Sequence, residues 1–356
     1  MKLSWSSMTH GAGRADPSAM ARDFEHGQCR CANCRKKVSL ADLPPLTLQP
    51  CPHCGCLLFV PADLDGWLVL CPIGSGGMGS VYLACYRAQP TQSATAKILR
   101  RSEKVGEEAL VRLTDEAAIG ASFGAHPNLA QVYGYGRLED GAFMIMETID
   151  GLTLLDRIAQ HAQRGLPEET VLYYALDIVS ALEHIYDCGY VYRDLNPSNV
   201  IVQEDGVARL VDYGLCLTHD EAWERRDGPI FGTPLYIAPE RCLRTGEDFR
   251  SDIYSLGMVC FYALKGDPFF SPTEVMKVIE GHLRLLRTQT KTKMAGCHPG
   301  LVDVVDLMIK REPEERFQTY DAIRHAMRPV LEDLWRTDPP DAATRARRKA
   351  YRASST

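Results

Sequence analysis

Two carboxylates and one amide lie close together in the sequence, in the order that phosphoryl transfer requires. Asp194 is followed five residues later by Asn199, and Asp212 lies thirteen residues beyond Asn199. The first carboxylate can accept or orient a hydroxyl proton, and the amide and second carboxylate can hold Mg²⁺ against phosphate oxygens. Such residues singly are more often turn caps, but the joint spacing, with Pro197 between the first two, argues against that. The pattern indicates magnesium-assisted phosphoryl transfer.

A glycine-rich stretch with the pattern G-x-G-x-x-G-x-V lies upstream. Its residues are Ile73, Gly74, Ser75, Gly76, Gly77, Met78, Gly79, Ser80 and Val81. Glycines allow tight turns and bring backbone N–H groups close to phosphates. The flanking segments Trp67–Leu70 and Val81–Cys85 are predicted strands, whereas a dinucleotide-binding turn would lead into a helix. The stretch therefore favours a phosphate-covering hairpin.

Together these stretches resemble the motifs of protein kinases. Tyr192–Asn199 and Asp212–Gly214 are similar to H-R-D-x-K-x-x-N and D-F-G, and the glycine stretch is similar to that of bacterial Ser/Thr kinases of the eukaryotic-like type. The resemblance covers residues 65–335, and Thr233 within Phe231–Glu240 favours a Ser/Thr substrate. It implies an α+β, bilobal fold with a β-rich N-lobe and a helical C-lobe. It also implies an enzyme, a serine/threonine protein kinase that uses ATP and Mg²⁺.

The resemblance also implies a role for each matching residue. Asp194 would be the catalytic base, Asn199 and Asp212 would hold Mg²⁺, and Lys97 would grip phosphates. Lys97 needs a carboxylate partner, for which Glu116 is favoured over Asp115. The residues implied in ATP binding are Ile73, Gly74, Ser75, Gly76, Gly77, Met78, Gly79, Val81, Lys97, and the backbone of Glu147 and Ile149 beside the gatekeeper Met146. Structural roles fall to Asp252, which would brace the catalytic loop, and to a Glu240–Arg316 ion pair.

Several positions depart from the family pattern. Tyr192 and Tyr213 replace His and Phe, and each adds a hydroxyl that needs a partner. Thr95 replaces a small Ala and would alter the adenine pocket. Asn196 replaces the catalytic-loop lysine, so a neutral donor stands where a charge-assisted one is usual. A slow kinase is predicted, and the alternative is a nucleotide-binding pseudokinase or weakly active scaffold.

The segment between Thr218 and Thr233 contains no Ser, Thr or Tyr. Kinases with an arginine beside the catalytic aspartate, here Arg193, commonly await a phosphate in this segment to neutralise that arginine. The sequence therefore predicts that an acidic side chain takes the place of the phosphate. The candidates are Asp220, Glu221 and Glu224.

A cysteine module precedes the kinase-like region. Cys31, Cys34, Cys51 and Cys54 fit the C-x₂-C-x₁₅₋₂₀-C-x₂-C zinc pattern and resemble a zinc ribbon. Structural Zn²⁺ is predicted, with iron or a redox dithiol as alternatives. Other residues that could compete as ligands are Cys29, His53 and Cys56. Nearby basic residues offer a weaker alternative, nucleic-acid binding, through Arg30, Arg35, Lys36 and Lys37.

Composition agrees with an ordinary globular protein, with 45% hydrophobic residues and a net charge of −6. The chain has no apolar run long enough to span a membrane and no N-terminal signal core, so a cytoplasmic protein is expected. The expected partners are ATP and protein substrates, not nucleic acid. The predicted organisation is a flexible tail over 1–27, the zinc-ribbon-like module over 28–60, the kinase domain over 65–335 and a basic disordered tail over 336–356.

Overall fold

The computed structural model forms two compact units. It describes residues 16–76, 79–102, 105–161, 164–225, 231–271, 274–284, 287–337, 345, 347–349 and 351. The first unit contains the described residues up to Gly124 together with Ala130–Asp150, and the second contains Ala125–Leu129 and those from Gly151 onward. Within the described ranges no helix has the length and apolar character that a membrane crossing requires.

The cysteine module consists of two short antiparallel hairpins. Their strands are β1 Gln28–Arg30, β2 Lys37–Ser39, β3 Leu48–Pro50 and β4 Leu57–Phe59. The two strands of each hairpin are joined by a C-x₂-C segment. The residue directly after this segment has a positive φ, and it is Arg35 in the first hairpin and Gly55 in the second. The module's buried residues are few: Cys29, Cys31, Cys51, Val38, Leu58 and Val60. So small a core favours stabilisation by a metal.

The first unit is built on a six-stranded antiparallel sheet with the order β5-β6-β7-β8-β10-β9. Its strands are β5 Ala62–Leu64, β6 Trp67–Gly76, β7 Gly79–Tyr86, β8 Gln89–Arg100, β9 Val132–Leu138 and β10 Gly141–Glu147. The predicted strands at Trp67–Leu70 and Val81–Cys85 are confirmed, and both extend further than the apolar runs that indicated them. Helix α2, Glu107–Ser122, packs against β9 and β10.

The prediction of a flexible tail over residues 1–27 is wrong for its second half. Helix α1 spans Pro17–Glu25, and its N-cap Asp16 accepts a hydrogen bond from the N–H of Ser18. Ala21 is buried against one face of the sheet, in a core with Leu68, Leu70, Leu83 and Cys85. The helix forms because its apolar side is covered by the sheet. Its nine residues are too few to show a sustained helical period in the sequence.

The second unit is mainly helical. Its helices are α3 Leu154–Gln160, α4 Glu168–Asp187, α5 His219–Glu224, α6 Pro239–Leu243, α7 Phe249–Lys265, α8 Val275–Leu283, α9 Arg287–Lys293, α10 Pro299–Met308 and α11 Tyr320–Thr337. Its short strands are β11 Gly151–Thr153, β12 Tyr190–Val191, β13 Val200–Gln203, β14 Ala208–Leu210 and β15 Leu217–Thr218. Helices α4 and α7 pack against each other. The strands of the β11-β13-β14 sheet flank the loop that carries Asp194.

The prediction of a disordered basic tail from residue 336 is also wrong for the residues described there. Arg347 Nη2 lies 2.6 Å from Asp177 Oδ2, and Arg348 Nη2 lies 2.5 Å from Glu169 Oε2. The ring of Tyr351 packs edge-on against Trp335. Basic side chains read as a solvated end are therefore held by acidic and aromatic groups on helices α4 and α11.

Candidate active site and metal centre

Lys97 and Glu116 form an ion pair within the first unit. Lys97 lies on β8 between the buried residues Ala96 and Ile98. Because side chains alternate along a strand, that of Lys97 points to the opposite face of the sheet. Its Nζ lies 2.9 Å from Glu116 Oε2 and 3.2 Å from Oε1. Helix α2 supplies Glu116, which is next to the buried Ala117, whereas the alternative Asp115 is exposed. The pairing favoured from the sequence is present.

The glycine stretch forms the hairpin between β6 and β7. Ser75 pairs with Ser80 and Gly76 with Gly79, so the two strands continue up to the turn. Gly77 and Met78 lie outside the described residues. The predicted positions Ile73, Gly74, Ser75 and Gly76 lie on the first strand, and Gly79 and Val81 on the second. This pairing of β6 with β7 is expected for the two strands that flank a phosphate-covering loop.

The segment predicted to meet adenine follows β10. Met146 and Glu147 end the strand, and Ile149 lies just beyond it. The N–H of Glu147 donates to the carbonyl of Gln131 at 2.8 Å. The hydroxyls of Thr95 and Thr148 lie 2.9 Å apart, so the additional hydroxyl of Thr95 is hydrogen-bonded to this segment.

The Asp194 carboxylate is held by two amides of its own loop. Asn199 Nδ2 donates to Asp194 Oδ2 at 2.7 Å, and Asn196 Nδ2 donates to Oδ1 at 3.1 Å. Both amides also donate to the backbone carbonyl of Asp194. The Asn196 oxygen accepts from the N–H of Ser198 and so caps the short 3-10 turn Pro197–Asn199. The sequence predicted a role for Asn196 but not this double hydrogen bonding.

Asp252 fixes the backbone at the start of the same loop. Its two carboxylate oxygens accept from the N–H groups of Tyr192 at 2.9 Å and Arg193 at 2.8 Å. Asp252 is almost completely buried, and this burial raises its pKa to about 6, although the two N–H groups oppose the shift. The bracing role predicted for Asp252 is confirmed.

Asp212 is joined to the Asn199 region through the backbone. The N–H of Val211, the residue before Asp212, donates to the carbonyl of Asn199 at 3.0 Å. The hydroxyl of Tyr192 donates to the carbonyl of Val211 at 2.8 Å. Asp212 itself has a positive φ of 75°. These bonds place the backbone of the two predicted magnesium ligands side by side, and the Tyr192 hydroxyl finds the partner it needs.

The acidic side chain that bonds directly to Arg193 is Glu247, and not one of the predicted candidates Asp220, Glu221 and Glu224. The Arg193 guanidinium donates from Nε to Glu247 Oε1 at 2.7 Å, and Glu247 is 4% exposed. Glu221 instead forms a capping box with Thr218 at the start of α5, and the Thr218 N–H lowers the pKa of its carboxyl. Sequence reasoning missed Glu247 because it lies outside the segment searched, directly before the N-cap Asp248 of α7.

The ion pair predicted between Glu240 and Arg316 is present in the second unit. Arg316 Nη1 lies 2.7 Å from Glu240 Oε1 and Nη2 lies 2.7 Å from Oε2, and both side chains are buried. Ser251 also donates to Glu240. The two oxygens of Glu240 are therefore fully hydrogen-bonded, as a buried carboxylate requires.

The four cysteines predicted to bind zinc come together. Cys31 Sγ lies 3.7 Å from Cys54 Sγ, Cys34 Sγ lies 3.8 Å from Cys51 Sγ, and all four sulfurs lie within 4.8 Å of one another. Four sulfurs placed tetrahedrally at about 2.3 Å from one zinc ion would be about 3.8 Å apart. The cluster therefore has the dimensions of a zinc site. Hydrogen bonds, first from the N–H of Cys56 and then from the side chain of Asn33, lower the pKa of Cys54 to about 6, whereas the pKa of Cys34 is raised to about 11.

The other residues considered around this cluster do not join it. Cys29 and Cys56 are absent from the four-sulfur group, which is drawn from the described part of the chain. Burial raises the pKa of Cys29 to about 11. Two of the four basic residues of the module, Arg30 and Lys37, form ion pairs with Asp23 of α1. These contacts give Arg30 and Lys37 a structural role within the unit.

Comparison with known proteins defines the class. Residues 67–327 match the protein kinase domain family, so the chain belongs to that family and has its α+β fold, preceded by a small module with a four-cysteine cluster. The chain is 28% identical to a probable serine/threonine-protein kinase of Clostridium perfringens over 261 residues, which are 73% of this chain and 38% of that protein. It is 28% identical to the serine/threonine-protein kinase PknB of Mycobacterium leprae, over 71% of this chain and 41% of PknB. It is 29% identical to the serine/threonine-protein kinase PksC of Streptomyces coelicolor, over 71% of this chain and 46% of PksC. The chain thus matches less than half the length of these relatives.

Proposed function

We propose that this protein is a serine/threonine protein kinase that transfers the terminal phosphoryl group of ATP to protein hydroxyls with the help of Mg²⁺. The observation that carries the proposal is the Asp194 carboxylate, which Asn199 holds at 2.7 Å in a loop braced by Asp252. A general base must be fixed within reach of the proton that it accepts, and this carboxylate is fixed from two sides. Membership of the protein kinase domain family supports the same chemistry.

In this proposal each residue that matches the kinase motifs has one task. Lys97, oriented by Glu116, neutralises phosphate charge, and the glycine hairpin covers the phosphates with backbone N–H groups. Asn199 and Asp212 hold Mg²⁺, which offsets the charge that develops on the phosphate oxygens. Asp194 orients the Ser or Thr hydroxyl and takes its proton. The nucleotide's adenine meets the backbone of Glu147 and Ile149.

The proposal is tested by incubating the full chain with Mg²⁺, labelled ATP and peptide libraries that contain only Ser, only Thr or only Tyr as acceptor. We expect label in the Ser and Thr libraries, and a loss on the order of a hundredfold or more in Asp194→Asn, which keeps the shape and removes the base. A matched control is Asp205→Asn, an exposed aspartate in the β13–β14 turn that keeps its bond to the N–H of Val207 through the amide oxygen. Label in the Tyr library alone, or full activity in Asp194→Asn, would overturn the proposal.

The same assay separates a kinase from a nucleotide-binding scaffold. A scaffold would bind ATP but transfer no phosphate in any library. Within the described residues no contact favours this alternative, since Lys97 keeps its Glu116 partner and Asp194 keeps Asn199. Asn196 is the one departure that motivates it.

We also propose that Cys31, Cys34, Cys51 and Cys54 hold one structural Zn²⁺. Metal analysis of the purified protein should give about one zinc per chain, since four thiolates complete a tetrahedral site. Cys31→Ser should lose the metal, and Cys56→Ser should keep it because Cys56 lies outside the four-sulfur group. Iron in place of zinc, or a full zinc content in Cys31→Ser, would contradict this assignment. The site needs reduced thiols, which supports a cytoplasmic location.

A further inference from the structure

Three charged side chains meet in the interior beside the catalytic loop. Arg193 Nε donates to one oxygen of Glu247 at 2.7 Å, and Arg241 Nε donates to the other oxygen at 2.7 Å. The exposed fractions are 5% for both arginine side chains and 4% for Glu247. One carboxylate thus joins two guanidinium groups away from water, where such pairs are strong and sensitive to the loss of either partner.

This cluster controls the residue directly before the proposed base. Arg241 Nη1 donates to the backbone carbonyl of Arg193 at 2.5 Å, and Asp252 accepts from the N–H of Arg193. The backbone of Arg193 has a φ of +70°, a left-handed conformation that is costly for a residue with a side chain. Such a conformation persists only where its surroundings hold it, and here both backbone polar groups and the side chain of Arg193 are held.

The cluster also reaches the segment that follows Asp212. Arg193 Nη1 donates to the backbone carbonyl of Leu215 at 3.2 Å. Residues 219–232, further along this segment, contain no hydroxyl that could be phosphorylated. The anion that joins the catalytic loop to the activation segment is therefore supplied by the chain itself, from the residue before α7.

We propose that Glu247 is a positioning residue that holds Arg193, and through it Asp194, in the working geometry without any phosphate on the activation segment. This inference rests on the proposed kinase function. It implies a kinase whose activity is set when the chain folds and does not wait for an activating phosphorylation. The carboxylate accepts from both guanidinium groups, with one oxygen for each, the arrangement that a phosphate between two arginines would otherwise provide.

The first experiment compares the steady-state kinetics of three variants with the wild type. Glu247→Gln keeps the shape and removes the charge, and kcat should fall by about tenfold or more while the KM for ATP changes by less than about twofold. The KM stays because neither Glu247 nor either arginine is among the residues proposed to bind ATP. Glu247→Asp restores the charge and should recover part of kcat. The matched control is Glu224→Gln, which changes an exposed glutamate of the activation segment and should behave as wild type.

The second experiment needs no variant and decides the matter if Glu247→Gln does not fold. Wild-type protein is treated with a broad-specificity phosphatase until mass spectrometry detects no phosphate. The phosphatase is then removed and the initial rate of peptide phosphorylation is measured. We expect a rate within about twofold of the untreated protein, because the anion that Arg193 needs is a side chain. A rate at least tenfold lower, restored by rephosphorylation, would overturn the inference.

The outcomes distinguish this inference from the proposed function. A wild-type protein that labels no peptide refutes the kinase function. A wild-type protein that is active, with Glu247→Gln equally active, leaves the kinase function and refutes the positioning role. The positioning role is also refuted if kcat falls equally in Glu247→Gln and Glu247→Asp and thermal stability falls equally in both. A merely structural site would gain nothing from the charge that aspartate restores.

Discussion

At the residue scale, Asn196 uses both ends of its amide. Its nitrogen donates to Oδ1 and to the carbonyl of Asp194, while its oxygen caps the turn at Ser198. The family lysine would bring a positive charge toward the transferred phosphoryl group, and an amide brings only a neutral donor. Asn196 therefore supports the geometry of the base more than it stabilises the transition state.

We predict that Asn196→Lys raises kcat by roughly tenfold to a hundredfold, because a charge-assisted donor replaces a neutral one. The KM for ATP should not change. The cap on Ser198 is lost, so the free energy of unfolding should fall by about 1 kcal/mol. Kinetics with a peptide substrate and urea denaturation measure the two effects. Asn196→Asp is the matched control: it keeps the capping oxygen, but it puts a second negative charge beside Asp194 and should lower kcat. An unchanged or lower kcat in Asn196→Lys would show that the missing lysine does not limit the rate.

The two tyrosines that replace His and Phe should differ in their importance for stability. Tyr192 is completely buried and its hydroxyl donates to Val211 at 2.8 Å, whereas the hydroxyl of Tyr213 lies 3.4 Å from the carbonyl of Leu210. Tyr192→Phe leaves a buried carbonyl without this donor and should cost about 1–3 kcal/mol of unfolding free energy. Tyr213→Phe should cost less than about 1 kcal/mol, because the bond that it removes is long. Equal losses in both variants would contradict this assignment.

At the element scale, the spacing of apolar residues in the sequence accounts for helix α2 and strand β10. Residues Leu110, Leu113 and Ala117 recur at helical spacing and are buried on α2, and the short apolar run at 143–146 is the buried part of β10. The motifs add the register, because Lys97 must alternate with the buried Ala96 and Ile98. Local pattern and motif thus predict the elements that carry most of the proposed site.

The missed features depend on contacts between distant parts of the sequence. Glu247 meets Arg193 across 54 residues, and Arg348 meets Glu169 across 179. No local period marks either pair, since each residue alone fits an exposed charged position. Helix α1 was missed for a related reason: its apolar side is short and becomes stable only against Leu68 and Leu83 of the sheet.

Helix α8 gives a prediction about pH. His282 on this helix is fully buried; its Nδ1 accepts from the hydroxyl of Tyr254 at 2.6 Å and its Nε2 donates to the carbonyl of Pro234 at 2.9 Å. Burial lowers the pKa of His282 to about 4, although the bond to Pro234 opposes the shift. In the unfolded chain this histidine binds a proton near pH 6.5, whereas in the folded chain it does so only near pH 4. The stability that the buried neutral imidazole contributes is therefore lost as the pH falls from about 6.5 to about 4.

We expect the stability difference between the wild type and His282→Gln to shrink by about 2 kcal/mol between pH 7 and pH 5, because glutamine does not titrate. Urea denaturation at several pH values measures this difference and cancels groups common to both proteins, including Asp252. A difference that stays constant with pH would contradict the burial of a neutral imidazole at this position.

At the scale of the whole molecule, the sequence separates a cysteine module from a kinase domain. It wrongly predicts that the described residues at the two ends of the chain are tails without structure. The described residues of α1 pack on the sheet of the first unit, and Asp23 of that helix pairs with Arg30 and Lys37 of the module. Helix α1 therefore contacts both the module and the six-stranded sheet of the first unit, although composition alone marked it as a tail. Composition separates polar from apolar segments, but it does not reveal which polar segments find a surface.

The C-terminal residues give the last prediction, which concerns the stability of the second unit. Asp177 accepts from Arg347 and from the N–H of Ala208, and Glu169 accepts from Arg348 and from the indole of Trp335. Ending the chain at Thr337 removes both arginines and leaves two largely buried carboxylates without their cations, which should cost about 3 kcal/mol or more of unfolding free energy. Ending the chain at Tyr351 removes only residues 352–356 and keeps both arginines. The stability of this shorter protein should therefore equal that of the full chain. Urea denaturation of the three proteins measures the effect; equal midpoints for the Thr337 and Tyr351 forms would show that these ion pairs add nothing to the folded state.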